Sequence, residues 1–349
     1  MTGISRRCYP IGIIGCNYGG SNACCWMDEG TVKKHGQVWL DEYHRAIRGL
    51  DIEKYKKDYR SNPFNALHTE PFSKINETLI WAEDPKGIAD YFMSAVIPPM
   101  GPYDAWRPCG LYHTMLKQII PYSITGVLWY QGESDDVHAE IYGEILKDLI
   151  RLWRKEWKEE LPFLIVQLAP FDHMNGGMSG EKYPIIRARQ KEVTETVEKT
   201  WLVSTSDCGE EFDIHPKHKK KVGERLALQA LVHLYGKEEI SEAPECVECE
   251  VDGTEIILTF SNSGDGLQVC GDDFGWLEIK QGGKNLPCSF KKTDKDKMVL
   301  DCPGINERDN IEIKIAQTGY YQMNLYNSAW IPAIPTHITI KSKQNGTRF

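Results

Sequence analysis

Hydrophobic and polar positions in the first two thirds of the chain predict strands that alternate with helices. Short apolar runs are typical of buried strands, and they occur at residues 10–15, 124–130, 163–168 and 201–205. Apolar residues at helical spacing predict helices over residues 38–59, 139–158, 183–199 and 217–235, with Gly236 ending the last one. This alternation predicts an α/β fold, with a parallel sheet covered by helices on both faces.

The pattern changes at two places. Residues 60–115 are irregular and rich in proline, glycine and aromatic residues, which is typical of long loops over a site. After about residue 238, alternating segments separated by turn residues predict an antiparallel β-rich module, with strands at residues 255–260, 276–279, 298–300 and 311–315. We therefore predict two domains, residues 1–238 and residues 239–349.

Composition and charge narrow the class of protein. Of the 349 residues 41% are hydrophobic, which excludes a disordered chain, and no apolar run approaches the roughly 20 residues of a membrane span. The formal net charge of -9 argues against nucleic acid or an anionic membrane as a partner. The basic cluster at residues 217–221 is the local exception, and we interpret it as the solvated start of a helix. The sequence does not determine an oligomeric state.

Eleven cysteines are an odd number, so they cannot all be paired in disulfides. Free thiols in such numbers favour a reducing compartment, and we predict a cytoplasmic protein. Cys246 and Cys249 form a lone CxxC, which is weak evidence for a zinc site without a second pair or nearby histidines. We therefore predict no metal.

Two polar motifs indicate chemistry. Residues 129–137 place amide, carboxylate and hydroxyl side chains directly after an apolar strand, where a parallel sheet presents them at its carboxyl edge. Asp213-Ile214-His215-Pro216 places a carboxylate two residues from a histidine, which suits a general base that activates a hydroxyl nucleophile. The Gly-x-Ser-x-Gly pattern is absent, which argues against an ordinary α/β-hydrolase.

Four ordered blocks together resemble the sialate O-acetylesterase family of SGNH-type hydrolases. The blocks are Pro10-Ile11-Gly12-Ile13-Ile14 with Gly19-Gly20, residues 129–135, residues 213–216, and Asn324-Leu325-Tyr326-Asn327. The resemblance implies an SGNH-like parallel sheet followed by a β-rich region, with residues 324–335 returning toward the sheet. It also implies removal of acetyl groups from the hydroxyls of sialic acid or of an acetylated plant glycan, through an acyl-serine intermediate. The partner would be a small-molecule or oligosaccharide substrate, and no cofactor is implied.

The resemblance also implies roles for individual residues. His215 would be the general base and Asp213 its orienting acid, with Asp207 and Glu211 as alternative acids. Gln131 and Gly20 would be the oxyanion donors. From residue type and position alone, we interpret Glu133 as a structural hydrogen-bond anchor, and we expect Trp26, Trp106 and Tyr130 to offer aromatic faces to a sugar ring.

The nucleophile is the main departure from the family pattern. Family members carry their catalytic serine in an upstream Gly-Gln-Ser-Asn-Met block, which does not occur in the 349 residues. We therefore expect that the chain starts late relative to the family, with Ser21 as a substitute candidate. The alternatives are a non-catalytic truncated or sugar-binding remnant and an acetylxylan-type esterase. An arginine that pairs with a sialate carboxylate would indicate sialate, and the candidates are Arg107 and Arg187.

Overall fold

The computed structural model describes residues 11–61, 101–174, 178–306 and 309–341. The strand expected at residues 10–15 was wrong for its described part, because residues 11–15 form no strand and Ile11, Ile13 and Ile14 are exposed. An apolar run becomes a strand only when a neighbouring strand accepts its backbone hydrogen bonds, and residues 11–15 have no such neighbour among the described residues. Most of the irregular region at residues 60–115, residues 62–100, lies outside the described residues.

Short helices precede the sheet. They are a 3-10 helix at Ala23–Trp26, α1 at Glu29–His35, α2 at Gln37–Ala46 and α3 at Ile52–Ser61, and later a π-helical segment at Tyr112–Leu116 that continues as Lys117–Ile119. The helix predicted over residues 38–59 is therefore two helices, α2 and α3. Gly49 lies between them with φ +75°, a conformation that ends helices and that glycine adopts without strain.

Three parallel strands form the sheet that positions the site. They are β1 at Val127–Trp129, β2 at Phe163–Val166 and β5 at Thr200–Val203, in the order β1-β2-β5. Between β2 and β5 the chain also forms a small hairpin, β3 at His173–Met174 and β4 at Met178–Ser179. All four residues of the central strand β2 are buried, as expected for a parallel sheet covered on both faces.

Three long helices flank this sheet. They are α4 at Tyr142–Trp157, α5 at Tyr183–Thr196 and α6 at Lys219–His233. A 3-10 helix at Glu133–Ile141 leads from the end of β1 into α4. The core between helices and sheet contains Leu146, Leu149, Phe163 and Ile165, each at most 1% exposed. The predicted parallel α/β fold is confirmed. Among the described residues, the helices lack the length and apolar character that crossing a membrane requires.

The β-rich part begins at Glu245 and contains two four-stranded antiparallel sheets. The strands are β6 at Glu245–Asp252, β7 at Glu255–Ser261, β8 at Gln268–Val269, β9 at Leu277–Gln281, β10 at Lys284–Asn285, β11 at Ser289–Asp294, β12 at Lys297–Asp301, β13 at Ile311–Ile315, β14 at Leu325–Tyr326 and β15 at Thr336–Ile340. One sheet has the order β11-β12-β7-β6 and the other the order β10-β9-β13-β15, and β14 pairs with β8. A disulfide joins Cys288 and Cys302 across β11 and β12. The antiparallel β-rich region is confirmed.

The end of the chain returns to the α/β part, as expected. Ile331 and Ile334 are buried in the same hydrophobic cluster as the sheet and its helices. The backbone N–H of Met323 donates to the carbonyl oxygen of Ser206, just after β5, over 3.1 Å. The division into two domains near residue 238 stays a prediction, because these contacts join the two parts.

Candidate active site

A buried hydrogen-bond network joins the end of β1 to the loop before the first 3-10 helix. The amide Nε2 of Gln131 donates to the carbonyl oxygen of Ser21 over 3.1 Å and to Oδ2 of Asp135 over 2.5 Å. The same Oδ2 accepts the backbone N–H of Ala23 over 2.9 Å. Both amide hydrogens of Gln131 therefore already form hydrogen bonds. The role of Gln131 as an oxyanion donor stays a prediction, and it would require one of these two bonds to break.

Asp135 is the residue in this network that the sequence interpretation missed. Its side chain is fully buried, and burial raises the pKa of the carboxyl to about 7 against the opposing hydrogen bonds from Gln131 and Ala23. Its Oδ1 has no hydrogen-bond partner among the described residues. The sequence feature that could have predicted this contact is the spacing of four residues between Gln131 and Asp135, directly after a buried strand.

Ser21 faces its own loop. Its hydroxyl donates to the carbonyl oxygen of Tyr18 over 2.7 Å and accepts the indole N–H of Trp26 over 3.0 Å. The residue is 6% exposed. No contact between the Ser21 hydroxyl and a histidine occurs in the described part of the chain, so the role as nucleophile stays a prediction that requires a rearrangement of this loop.

Gly20 and Trp106 meet at the edge of the same loop. Gly20 has φ +69°, and an added Cβ would lie 3.3 Å from Nε1 of Trp106, so both conformation and space favour glycine. The indole N–H of Trp106 donates to the carbonyl oxygen of Gly19 over 2.8 Å, while its ring remains partly exposed. Trp26 differs, since it is 4% exposed and packed in the core. This burial favours a packing role over contact with a sugar, for which Trp106 is the better placed residue.

The predicted acid–histidine pair lies in the loop before α6. The His215 side chain is 83% exposed, and its Nδ1 lies 3.5 Å from Oδ1 of Asp213. The same Oδ1 accepts the backbone N–H of His215 over 2.8 Å, which fixes the turn that brings the two side chains together. At 3.5 Å, the carboxylate of Asp213 lies close enough to orient the imidazole of His215 as a general base.

The alternative acids, Asp207 and Glu211, have contacts that do not involve His215. Asp207 binds Arg225 through two hydrogen bonds of 2.7 and 2.9 Å, and Lys221 lies 2.9 Å away. Burial acts to raise the pKa of Asp207, but these cations hold it at about 2. The carboxylate of Asp207 therefore forms an ion pair with Arg225 and does not orient His215. The periodicity of the sequence does not predict this ion pair. The backbone of Glu211 accepts hydrogen bonds from Asp172 and His173, and no described contact joins its side chain to His215.

Tyr130, Glu133 and Lys219 form a cluster of polar and charged side chains close to His215. Nζ of Lys219 donates to the hydroxyl of Tyr130 over 3.1 Å and lies 4.4 Å from the centre of its ring. Burial raises the pKa of Glu133, and the charges of Lys219 and His215 oppose this shift, which places all three groups in one electrostatic neighbourhood. The sequence interpretation treated Lys219 only as part of a solvated cluster.

Arg187 is not available to a substrate carboxylate, which corrects one of the two arginine candidates. Its buried guanidinium donates to four backbone carbonyl oxygens, those of Leu168 (2.9 Å), Ala169 (3.3 Å), Thr318 (2.8 Å) and Gly319 (2.6 Å). These bonds tie the end of β2 to the β-rich part. Arg107 is half-buried and remains a candidate.

Comparison with known proteins shows similarity to carbohydrate esterases. Residues 102–232 match the model of the family described as carbohydrate esterase, sialic acid-specific acetylesterase. The mouse sialate O-acetylesterase is 23% identical over 318 residues, which cover 84% of this chain and 53% of the relative. The rat sialate O-acetylesterase is 28% identical over 254 residues, which cover 64% of this chain and 46% of the relative.

A solved structure agrees with the sequence comparisons. The crystal structure of a carbohydrate acetylesterase from Xanthomonas citri superposes with a TM-score of 0.59 at 29% identity, covering 67% of this chain and 55% of that one. The chain spans about half the length of the curated relatives it matches. In sequence and in fold, the chain is therefore similar to carbohydrate esterases, among them the sialate O-acetylesterases.

Proposed function

We propose that this protein is a carbohydrate O-acetylesterase that hydrolyses acetyl esters on sugar hydroxyls, with His215 as its general base. The observation that carries the proposal is the exposed imidazole of His215 at 3.5 Å from the Asp213 carboxylate, in a loop beside Glu133 and Lys219. The match of residues 102–232 to the carbohydrate esterase family supports the reaction class.

The geometry of the pair determines how it would act. Asp213 faces Nδ1 of His215, which favours the tautomer with the proton on Nδ1 and leaves Nε2 as the acceptor. Nε2 then takes the proton of a hydroxyl nucleophile as its oxygen bonds to the acetyl carbon. The same proton passes to the sugar oxygen when the ester bond breaks, and Asp213 stabilises the intervening imidazolium. Water repeats these steps to release acetate.

Ser21 is the serine that we propose as nucleophile within this chain. Its loop is joined to Gln131 through its own carbonyl oxygen, so it lies next to the proposed oxyanion donors. To act, the Ser21 hydroxyl must leave the carbonyl oxygen of Tyr18 and turn toward His215.

A non-catalytic, sugar-binding protein is the second candidate. The two hydrogen bonds and the burial of the Ser21 hydroxyl favour it, because they hold this group away from a base. In that case His215 and the surrounding aromatic and acidic groups would bind a glycan without cleaving it.

Ester hydrolysis tests the proposal directly. Acetate release would be measured with p-nitrophenyl acetate, O-acetylated sialic acid and acetylated xylan. His215→Ala and Ser21→Ala should each lower the rate by about a thousandfold or more. His337→Ala is the matched control, since His337 also pairs an exposed imidazole with a carboxylate, that of Glu312 at 2.8 Å.

The possible results distinguish the catalytic from the non-catalytic function. Equal rates for His215→Ala and His337→Ala would refute the role of His215. Loss in His215→Ala but not in Ser21→Ala would assign the nucleophile to another group. Absence of hydrolysis by the unmodified chain would favour the non-catalytic candidate.

A further inference from the structure

Two aromatic side chains of the β-rich part lie together at its surface. Trp276 is 41% exposed and has φ +64°, a conformation that bulky residues rarely adopt and that often marks ligand-binding positions. The ring of Tyr320 meets its indole edge to face, with centroids 6.0 Å apart and an interplanar angle of 84°. The pair presents aromatic surface to solvent instead of contributing it to the core.

The backbone holds this pair in place. The carbonyl oxygen of Trp276 accepts the N–H of Ala316 over 2.7 Å, which fixes the strained residue directly before β9. The carbonyl oxygens of Thr318 and Gly319, just before Tyr320, accept hydrogen bonds from the buried guanidinium of Arg187. A preorganised aromatic surface loses little conformational freedom when a ligand binds.

The pair also lies beside the loop that carries His215. Two consecutive backbone N–H groups bind both segments. That of Phe171 donates to the carbonyl oxygen of Gly319 over 3.0 Å, and that of Asp172 donates to the carbonyl oxygen of Glu211 over 3.0 Å. Tyr320 therefore follows a residue that is held next to Glu211, which is two residues before Asp213. In agreement, burial raises the pKa of Tyr320, and the charges of Glu211 and Glu210 add to this shift.

The chemistry around the pair favours an uncharged sugar. The C–H face of a pyranose ring packs on an indole or phenol ring, and its hydroxyls donate hydrogen bonds to carboxylates. The carboxylate of Glu211 would accept such bonds and would repel the carboxylate of an acidic sugar, whereas that of Glu210 is paired with Lys217 at 3.4 Å. Arg187 cannot bind such a carboxylate directly, because its guanidinium donates its hydrogen bonds to backbone carbonyl oxygens.

We propose that Trp276 and Tyr320 form a subsite that binds a pyranose ring of a neutral oligosaccharide, adjacent to the residue that carries the acetyl ester. That adjacency rests on the proposed esterase function of His215. The binding of the ring itself rests only on the aromatic pair and its acidic neighbours.

Calorimetric titration with xylohexaose, a neutral oligosaccharide, tests the subsite without requiring hydrolysis. Trp276→Ala and Tyr320→Ala should each weaken binding at least fivefold, and Trp276→Phe should retain most of it. The matched control is Trp330→Ala, because Trp330 is another exposed tryptophan of the β-rich part, 58% exposed with φ +59°. Thermal unfolding of each variant would verify that it is folded.

The possible results separate the subsite from the esterase. If p-nitrophenyl acetate is not hydrolysed but xylohexaose binding depends on Trp276, the subsite stands and the proposed esterase function fails. If p-nitrophenyl acetate is hydrolysed but xylohexaose does not bind, or binds all variants equally, the subsite is refuted. Trp276-dependent binding of N-acetylneuraminic acid in preference to xylohexaose would refute the neutral class of ligand.

Discussion

The side-chain amide of Gln131 donates a 2.5 Å hydrogen bond to the fully buried carboxylate of Asp135. The same carboxylate oxygen accepts the backbone N–H of Ala23. One ionisable group therefore holds together the end of β1 and the loop that contains Ser21. The protonation of Asp135 thus affects both the stability of the protein and the arrangement of its candidate site.

Asp135→Asn should flatten the dependence of stability on pH between about 4 and 7. The folded protein raises the pKa of Asp135 from 3.8 to about 7, so it binds a proton more tightly than the unfolded chain does. This contribution is fully present below pH 3.8 and is lost as pH rises through 7, by at most about 4 kcal/mol. Urea unfolding across this range would measure it. The exposed Asp41 provides the control Asp41→Asn, and an unchanged profile in Asp135→Asn would contradict the assignment.

Asp207→Asn should lower the free energy of unfolding by about 3 kcal/mol at pH 7, because it leaves the buried Arg225 without its carboxylate. The pKa of Asp207 lies below its ordinary value of 3.8, at about 2. Its contribution is therefore present above pH 3.8 and lost as pH falls through 2, and the difference between wild type and variant should shrink over that range. Denaturant unfolding would test this, with the exposed Asp272→Asn as control; a constant difference would argue against the ion pair.

Arg187→Met should destabilise the protein by about 3 kcal/mol or more, since four carbonyl oxygens lose a buried charged donor. Arg187→Lys should not restore stability, because one ammonium group cannot reproduce the guanidinium geometry. Arg189→Met is the control on the same helix, where a surface ion pair with Glu192 at 2.7 Å contributes less than about 1 kcal/mol. Similar thermal midpoints for Arg187→Met and Arg189→Met would contradict the bridging role.

Cys302→Ser should lower the stability of the β-rich part by about 3 kcal/mol. The bond to Cys288 closes a loop with a sequence separation of 14, and closing such a loop restricts the unfolded chain. Thermal unfolding with and without dithiothreitol would show the same loss in the reduced wild type. The exposed free thiol of Cys270 supplies the control Cys270→Ser. A wild type that is insensitive to dithiothreitol would refute the contribution of the disulfide.

Much of the local structure could be predicted from the chain alone. The apolar runs of β1, β2 and β5 and the spacing of α4, α5 and α6 predicted these elements within a few residues. The run at residues 11–15 has the same apolar character and forms no strand, because periodicity does not show whether a pairing partner is present.

The candidate site was predictable only where its residues are close in sequence. Asp213 and His215 share one turn, so their contact follows from local geometry. The contacts of Asp135 with Ala23 and of Asp207 with Arg225 depend on how distant segments pack. Arg187 was misassigned for the same reason, since its carbonyl partners include residues more than 130 positions away.

By itself, the sequence determined the alternation of strands and helices, the change to a β-rich region and the acid–histidine pair. These features arise from interactions over a few residues. Only the tertiary structure decided that Asp135 is buried beside Gln131, that Arg187 binds backbone carbonyls, and that Trp276 and Tyr320 lie next to the loop of His215. The physical reason is that burial, pKa and the pairing of charges depend on which distant segments come together on folding, and the spacing of residues along a chain does not contain that information.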